Sequence, residues 1–206
     1  MSQFFRIHPE NPQPHLLNEA VMIIRNEGVV VYPTDSAYGI GCAVGEKEPM
    51  KRIRQIRGLS DDHHFTLMCR DLSELATYAR VTNATFRILK AFTPGPYTFI
   101  LPATREVPRR LQHPKRKTIG LRVPDHVITQ ALLEALEAPL MSTTLILPDQ
   151  PLPMIEPEAM RELLGKRVDL IIDGGYCGVE ETSVIELVDE HPKVLRFGKG
   201  DVSLFG

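Results

Sequence analysis

A continuous apolar run, Val29, Val30, Val31 and Tyr32, breaks off into Pro33, Thr34, Asp35 and Ser36, and no other stretch narrows the fold as much. An extended segment that is apolar at every position, rather than every second one, is buried on both faces. Helices must therefore cover such a sheet on either side. The residues just upstream supply one of them: Leu16, Leu17, Ala20, Val21 and Ile24 recur at helical spacing, and Gly28 falls where a C-terminal cap belongs. A helix leading straight into a buried strand points to a layered α/β chain.

The alternation continues along the chain. Strands are predicted at 4–7, 40–44, 65–69, 97–101, 118–123, 140–147, 168–172, 183–187 and 194–197. A helix with Pro49 in its first turn carries Met50, Ile53 and Ile56 on one side. Asp71 with Glu74 reads as a capping box, and Thr82 as an N-cap whose neighbours Val81 and Phe86 have staple spacing. Further helices are expected around Leu132, Leu133 and Leu136, and near 157–164 after a proline-rich loop. Several strands follow one another directly, so the sheet is expected to be mixed. At 206 residues, 43% hydrophobic and 24% charged, the chain reads as a single domain, 1–206, with an open mixed sheet flanked by helices.

No apolar stretch approaches the ~20 residues of a bilayer span, and the start MSQFFRIHPENP lacks a secretory pattern, so the expected setting is cytoplasmic with no membrane partner. Cys42, Cys69 and Cys177 are odd in number and far apart, which suits buried reduced thiols. The net charge is only −2, yet it is unevenly spread. Arg105, Arg109, Arg110, Lys115, Arg116, Lys117 and Arg122 stand against Glu106 alone, and Lys51, Arg52, Arg54 and Arg57 share one predicted helix. Six acids between Asp173 and Glu190 face no Lys or Arg in that stretch. A positive face of this kind attracts phosphates, of a nucleotide or of RNA.

Familiar motifs are missing. There is no G-x-x-x-x-G-K-[ST] loop, no G-x-G-x-x-G, no H-E-x-x-H and no G-x-S-x-G. What remains is a series of polar strand ends: PTDSAYGIG, IRGLSDDHHFTL, FTPGPYTFIL, GLRVPDH, MSTTLIL, DGG with ETSVIEL, and LRFGKG. Ligands of open α/β sheets gather where such ends converge. Hydroxyls, freed backbone N–H groups and the cations Arg122 and Arg196 suit a small polar acid beside an anionic phosphate.

Taken together and in this order, Pro33-Thr34-Asp35 with Tyr38-Gly39, Pro94-Gly95-Pro96 with Thr98, Gly120-Leu121-Arg122-Val123-Pro124, Asp173-Gly174-Gly175 and Thr182-Ser183-Val184 resemble the YrdC/Sua-type threonylcarbamoyl-AMP synthases, most closely their YciO-like branch. The resemblance spans essentially the whole chain. It implies a YrdC-like fold with a concave, positively charged face, and a reaction of L-threonine, bicarbonate and ATP giving threonylcarbamoyl-AMP and pyrophosphate for tRNA modification. ATP with Mg²⁺ would be substrate, with no tightly bound cofactor and no metal ligand from protein side chains. By position, Thr34 and Tyr38 would lie in the threonine pocket, and Thr66, Arg122, Thr143, Thr182, Ser183 and Arg196 at the nucleotide. Arg57, Thr34 and Arg196 would carry the catalytic roles.

The phosphate side departs from the family pattern. Where the family has K-x-R-P, this chain has Arg57-Gly58-Leu59-Ser60; where it has T-S-A-N-x-S, this chain has Thr143-Thr144-Leu145-Ile146-Leu147-Pro148. A guanidinium is not a point-charge ammonium, and Leu59 neutralises nothing. These changes imply a slow or altered reaction. The alternative is a non-catalytic module that binds double-stranded RNA, tRNA or ribosomal RNA through Lys51, Arg52, Arg54, Arg109, Arg110, Lys115, Arg116 and Lys117, with affinity falling steeply as salt rises.

Overall fold

The structure, a computed structural model, describes residues 1–189 and 191–205; Glu190, last of the acidic stretch, lies outside them. In chain order come β1 (Gln3–Arg6), α1 (Pro14–Arg25), β2 (Val30–Tyr32), β3 (Gly39–Ala43), α2 (Lys47–Arg57), β4 (Thr66–Met68), α3 (Leu72–Tyr78), α4 (Asn83–Phe92) and β5 (Tyr97–Pro102). After a short 3-10 turn at Arg109–Leu111 follow β6 (Thr118–Arg122), α5 (Val127–Leu136), β7 (Leu140–Thr144), α6 (Pro157–Leu164), β8 (Leu170–Asp173), β9 (Ser183–Glu186) and β10 (Lys193–Arg196). No helix among the described residues is long and apolar enough to cross a membrane.

All ten strands join one sheet in the order β1-β8-β2-β3-β7-β4-β6-β5-β9-β10. It is mixed, as direct strand-to-strand succession requires. β1–β8, β2–β8, β4–β6 and β5–β9 run parallel, whereas β2–β3, β3–β7, β4–β7, β5–β6 and β9–β10 run antiparallel. The run 29–32 is buried throughout because its alternate side chains enter two different cores. Val30 and Tyr32 pack with Leu17, Val21 and Ile24 of α1 and Ile128, Leu132 and Leu136 of α5. Val29 and Val31 belong to the opposite layer with Ile53 and Ile56 of α2, Leu75 of α3, Leu89 of α4 and Leu164 of α6.

The two layers differ in extent. The opposite layer collects Leu67, Phe99, Leu121, Met141 and Ile185, so it underlies the later half of the sheet as well. The α1/α5 layer reaches only as far as Met68 and Leu140. Beyond that line one face of β7, β4, β6, β5 and β9 carries no helix, and its outward residues are Ser142, Thr66, Gly120, Thr98 and Val184, all of which line a cavity.

Several ends differ in detail from the sequence reading. At the end of α1 the left-handed residue is Glu27 (φ 61°), and Gly28 comes one place later, its N–H bonding Ile23 O at 2.9 Å. Glycine is needed there because a Cβ would fall 2.5 Å from that carbonyl. β7 stops at Thr144 rather than at 147: Leu145 N–H still bonds Tyr38 O, but Ile146 N–H turns back to Thr144 O ahead of Pro148. Asp71 caps α3, accepting from Glu74 N–H at 2.8 Å, and Thr82 caps α4 through Thr85 N–H at 3.2 Å. Phe86 stays 45% exposed, so a staple with Val81 adds little. Removing the first cap, Asp71→Ala, is expected to lower unfolding free energy in urea by about 1 kcal/mol. The core truncation Leu67→Ala should cost about 3 kcal/mol at an unchanged m-value.

Candidate functional site

The uncovered half of the sheet forms the floor of a cavity of about 220 Å³. Register explains its shape. Ser142 pairs with Thr66, Thr66 with Gly120 and Gly120 with Ile100, so one transverse row crosses four strands facing the opening. Gly120 leaves the middle of that row without a side chain; a Cβ there would stand 3.2 Å from Thr66 Oγ1 and 3.4 Å from Thr98 Cγ2.

Eight of the nine positions expected to touch substrate or nucleotide, or to act catalytically, line this cavity: Thr34, Tyr38, Arg57, Thr66, Arg122, Thr143, Thr182 and Arg196. Ser183 does not. It is fully buried, donating to Gly200 O at 2.6 Å and accepting from Gly198 N–H at 3.0 Å. Strand alternation is the reason, since Val184 faces the cavity and its neighbour must point to the other layer. Ser183 anchors the chain after β10; Thr182, one residue earlier, faces the cavity.

Each wall is held by hydrogen bonds from well-separated parts of the chain. Arg122, at the end of β6, forms an ion pair with Asp35 in which the two side chains are 8% and 9% exposed. The same carboxylate accepts from Asp125 N–H at 3.0 Å. Thr34 Oγ1 donates to Ala37 O at 2.5 Å and accepts from Ser36 N–H at 3.2 Å and from Arg122 Nη2 at 3.4 Å, closing the turn before β3. Tyr38 donates its phenol to Gly175 O at 2.7 Å and accepts from Gly174 N–H at 3.2 Å, which ties that turn to the loop after β8. Burial pushes the Tyr38 phenol well above its usual range, so it stays a neutral donor. Tyr32, raised to about 12 by burial, donates in the same way to Ser142 Oγ.

On the other wall Arg196 donates to Thr182 O at 2.9 Å, Thr182 Oγ1 at 3.1 Å and Glu181 at 3.0 Å, and Thr182 Oγ1 lies 2.8 Å from Thr98 Oγ1. Arg57 donates to the backbone carbonyl of Ile146. Burial lowers its basicity without neutralising it. Gly58 packs against Pro148. The two segments that depart from the family pattern thus meet each other at one corner of the cavity. Leu59 packs against the core beside them. Arg57 Nε and Arg122 Nε are buried with no hydrogen-bond partner, so two charged donors of the lining are unsatisfied by the protein itself.

None of the cations assigned to RNA is among the residues that line this cavity. Arg52 is paired with Asp169 and Arg116 with Glu186, and Arg54 donates to Asp61 O and lies over the Phe65 ring. Lys51, Arg109, Arg110, Lys115 and Lys117 are exposed. Sequence reasoning gave no role to Thr98, Ser142, His63 or Glu181, all of which line the cavity. Period-2 counting from Thr66 and Gly120 could have found Thr98 and Ser142; His63 and Glu181 fall within two of the polar strand ends, IRGLSDDHHFTL and ETSVIEL, but nothing in those stretches singles them out. Cys42 and Cys69 are buried and Cys177 is partly so, and burial pushes the Cys42 thiol up to about 12 and that of Cys177 to about 11. Among the described residues no cluster of His, Cys, Asp and Glu is placed to hold a metal ion.

A family model covering Sua5, YciO and YrdC, described as telomere recombination, matches residues 22–198. Over 205 residues the chain is 58% identical to the uncharacterized YciO protein of Escherichia coli K12, each covering 100% of the other, and the crystal structure of E. coli YciO matches with a TM-score of 0.95. Threonylcarbamoyl-AMP synthase of Nitrosococcus oceani is 34% identical over 156 residues, 75% of this chain and 83% of that protein. Sua5 of Pyrococcus abyssi, solved in complex with L-threonine, matches with a TM-score of 0.87 at 26% identity over 96% of this chain and 58% of that one.

Asp35→Asn keeps the size of the side chain but leaves the Arg122 charge buried and unpaired. A loss of about 3–5 kcal/mol in unfolding free energy is expected from chemical denaturation.

Proposed function

The chain belongs to the Sua5/YciO/YrdC family, and on that premise we propose that its cavity carries an ATP-dependent synthesis of an L-threonylcarbamoyl-adenylate. The observation that carries this reading is the convergence of three guanidinium side chains, Arg57, Arg122 and Arg196, on one cavity with the hydroxyl side chains Thr34, Thr66, Thr143 and Thr182. Several cations beside hydroxyl donors in a small cavity suit an anion with several oxygens. The amino-acid half of the reading draws support from the L-threonine complex of the P. abyssi relative.

In this reading the threonine amine adds to bicarbonate, giving a carbamate with loss of water. A carbamate oxygen then attacks the α-phosphorus of ATP, the bond to the bridging oxygen breaks, and pyrophosphate leaves. Little covalent help is needed for such a displacement; positioning and neutralised charge do most of the work. Thr34 and Tyr38 shape the end that holds the amino acid. Arg122, oriented by Asp35, faces the carboxylate or phosphoryl oxygens, while Arg57, Arg196, Thr143 and Thr182 meet the phosphates. Mg²⁺ arrives on the nucleotide, where it offsets phosphate charge, and no side chain of this chain is assigned to it.

The test is pyrophosphate release with threonine, bicarbonate, Mg²⁺ and ATP. Release that depends on threonine is expected, falling at least 10²-fold in Arg122→Gln. Release independent of threonine, or none where a standard synthase turns over, rejects the reading.

A further inference from the structure

Several polar groups in the cavity have no part in that scheme, His63 among them. His63 lies on the loop between α2 and β4, with its ring edge-on to Phe65 at 5.4 Å between centroids and Nε2 3.3 Å from Thr143 Oγ1. Arg57 and Arg54 act on it from α2, and His64 and Asp62 from its own loop. Thr143 of β7 is the hydrogen-bond partner of its ring among the described residues, and Arg196 and Glu181 line the same cavity.

Resting on the reading of this cavity as a phosphate site, we propose that His63 is a proton-dependent phosphate ligand, binding phosphoryl oxygens as an imidazolium together with Thr143 and Arg57. The chemistry follows from which atom holds the proton. In the neutral ring with Nδ1 protonated, Nε2 accepts the Thr143 hydroxyl hydrogen and that donor is occupied. Once Nε2 gains a proton it donates to Thr143 Oγ1, and the hydroxyl hydrogen is released toward the cavity. A single proton thus adds a positive charge and frees a second donor, both in the cavity that Arg57 also lines.

The sign of the linkage is set by the surroundings. In the free chain, burial first and then Arg57 and Arg54 hold the imidazole below its ordinary value, so it is neutral near pH 7. A phosphate dianion beside it favours the charged form and raises that value, so binding takes up a proton. Affinity therefore rises as pH falls through the bound-state value and levels off below the free-state value. Each unit between the two corresponds to about a tenfold gain.

The experiment is titration calorimetry of AMP and of inorganic pyrophosphate in buffers of different ionisation heat at pH 6, 7 and 8, with the wild type, His63→Gln and His63→Lys. Thermal melts of the unliganded proteins establish that each variant is folded. The probe's own ionisation is common to all three, so the difference between wild type and His63→Gln isolates the imidazole. Wild type should take up more protons on binding than His63→Gln and gain about tenfold more affinity between pH 8 and pH 6. His63→Lys, with a fixed charge, should bind at pH 8 about as tightly as wild type at pH 6 without that uptake. Retained binding with equal proton uptake in wild type and His63→Gln overturns the role of His63 and leaves the synthase reading standing. Proton-linked binding without threonine-dependent turnover supports His63 and rejects the synthase. Binding of neither probe overturns both.

Discussion

The buried pair of Arg122 and Asp35 is the constraint around which the cavity is organised. Two charges with little access to water are tolerable only when each is matched. The match here joins three places that are distant in sequence: the end of β6, the turn before β3, and the entry to α5 through Asp125 N–H. The pair fixes the plane of the guanidinium, whose Nε stays buried without a hydrogen-bond partner. Lys199, donating to the carbonyl of the same Asp35, brings in the segment after β10 as well. Four segments of the chain therefore share one electrostatic centre.

Around that centre the fold divides the labour between the two faces of one sheet. The layer built from α2, α3, α4 and α6 runs beneath the whole length of the strands and supplies most of the apolar burial. The α1/α5 layer covers only the first strands. The cavity is where the second layer stops, so its floor is the sheet itself and its walls are the polar strand ends. Ser142 and Thr98 can occupy that floor because Tyr32 and Thr182 meet their hydroxyls there.

Much of this was legible locally. The run 29–32 reads as a buried strand, and every strand and helix expected from periodicity is present, with ends shifted by a few residues. The strand beginning at Leu140 stops when Ile146 turns back to Thr144, and its carbonyl then receives Arg57 from α2. Side-chain direction was legible wherever period 2 could be counted. Thr182 and Ser183 look equivalent as a motif, yet one faces the cavity and the other anchors the chain after β10. The partnerships could not be read at all. Asp35 finds Arg122 across 87 residues and Tyr38 finds Gly175 across 137, and only the strand order brings them together.

Gly120 carries a consequence of a different kind. A glycine within a strand gives up β-propensity and costs backbone entropy on folding, so almost any other residue there would favour the strand. It is held in the middle of the cavity floor, where a methyl group would enter the space between Thr66 and Thr98. Stability and room for a ligand therefore pull in opposite directions at this position. A side chain there would gain strand propensity only if Thr66 and Thr98 gave way to it, and the site would become shallower.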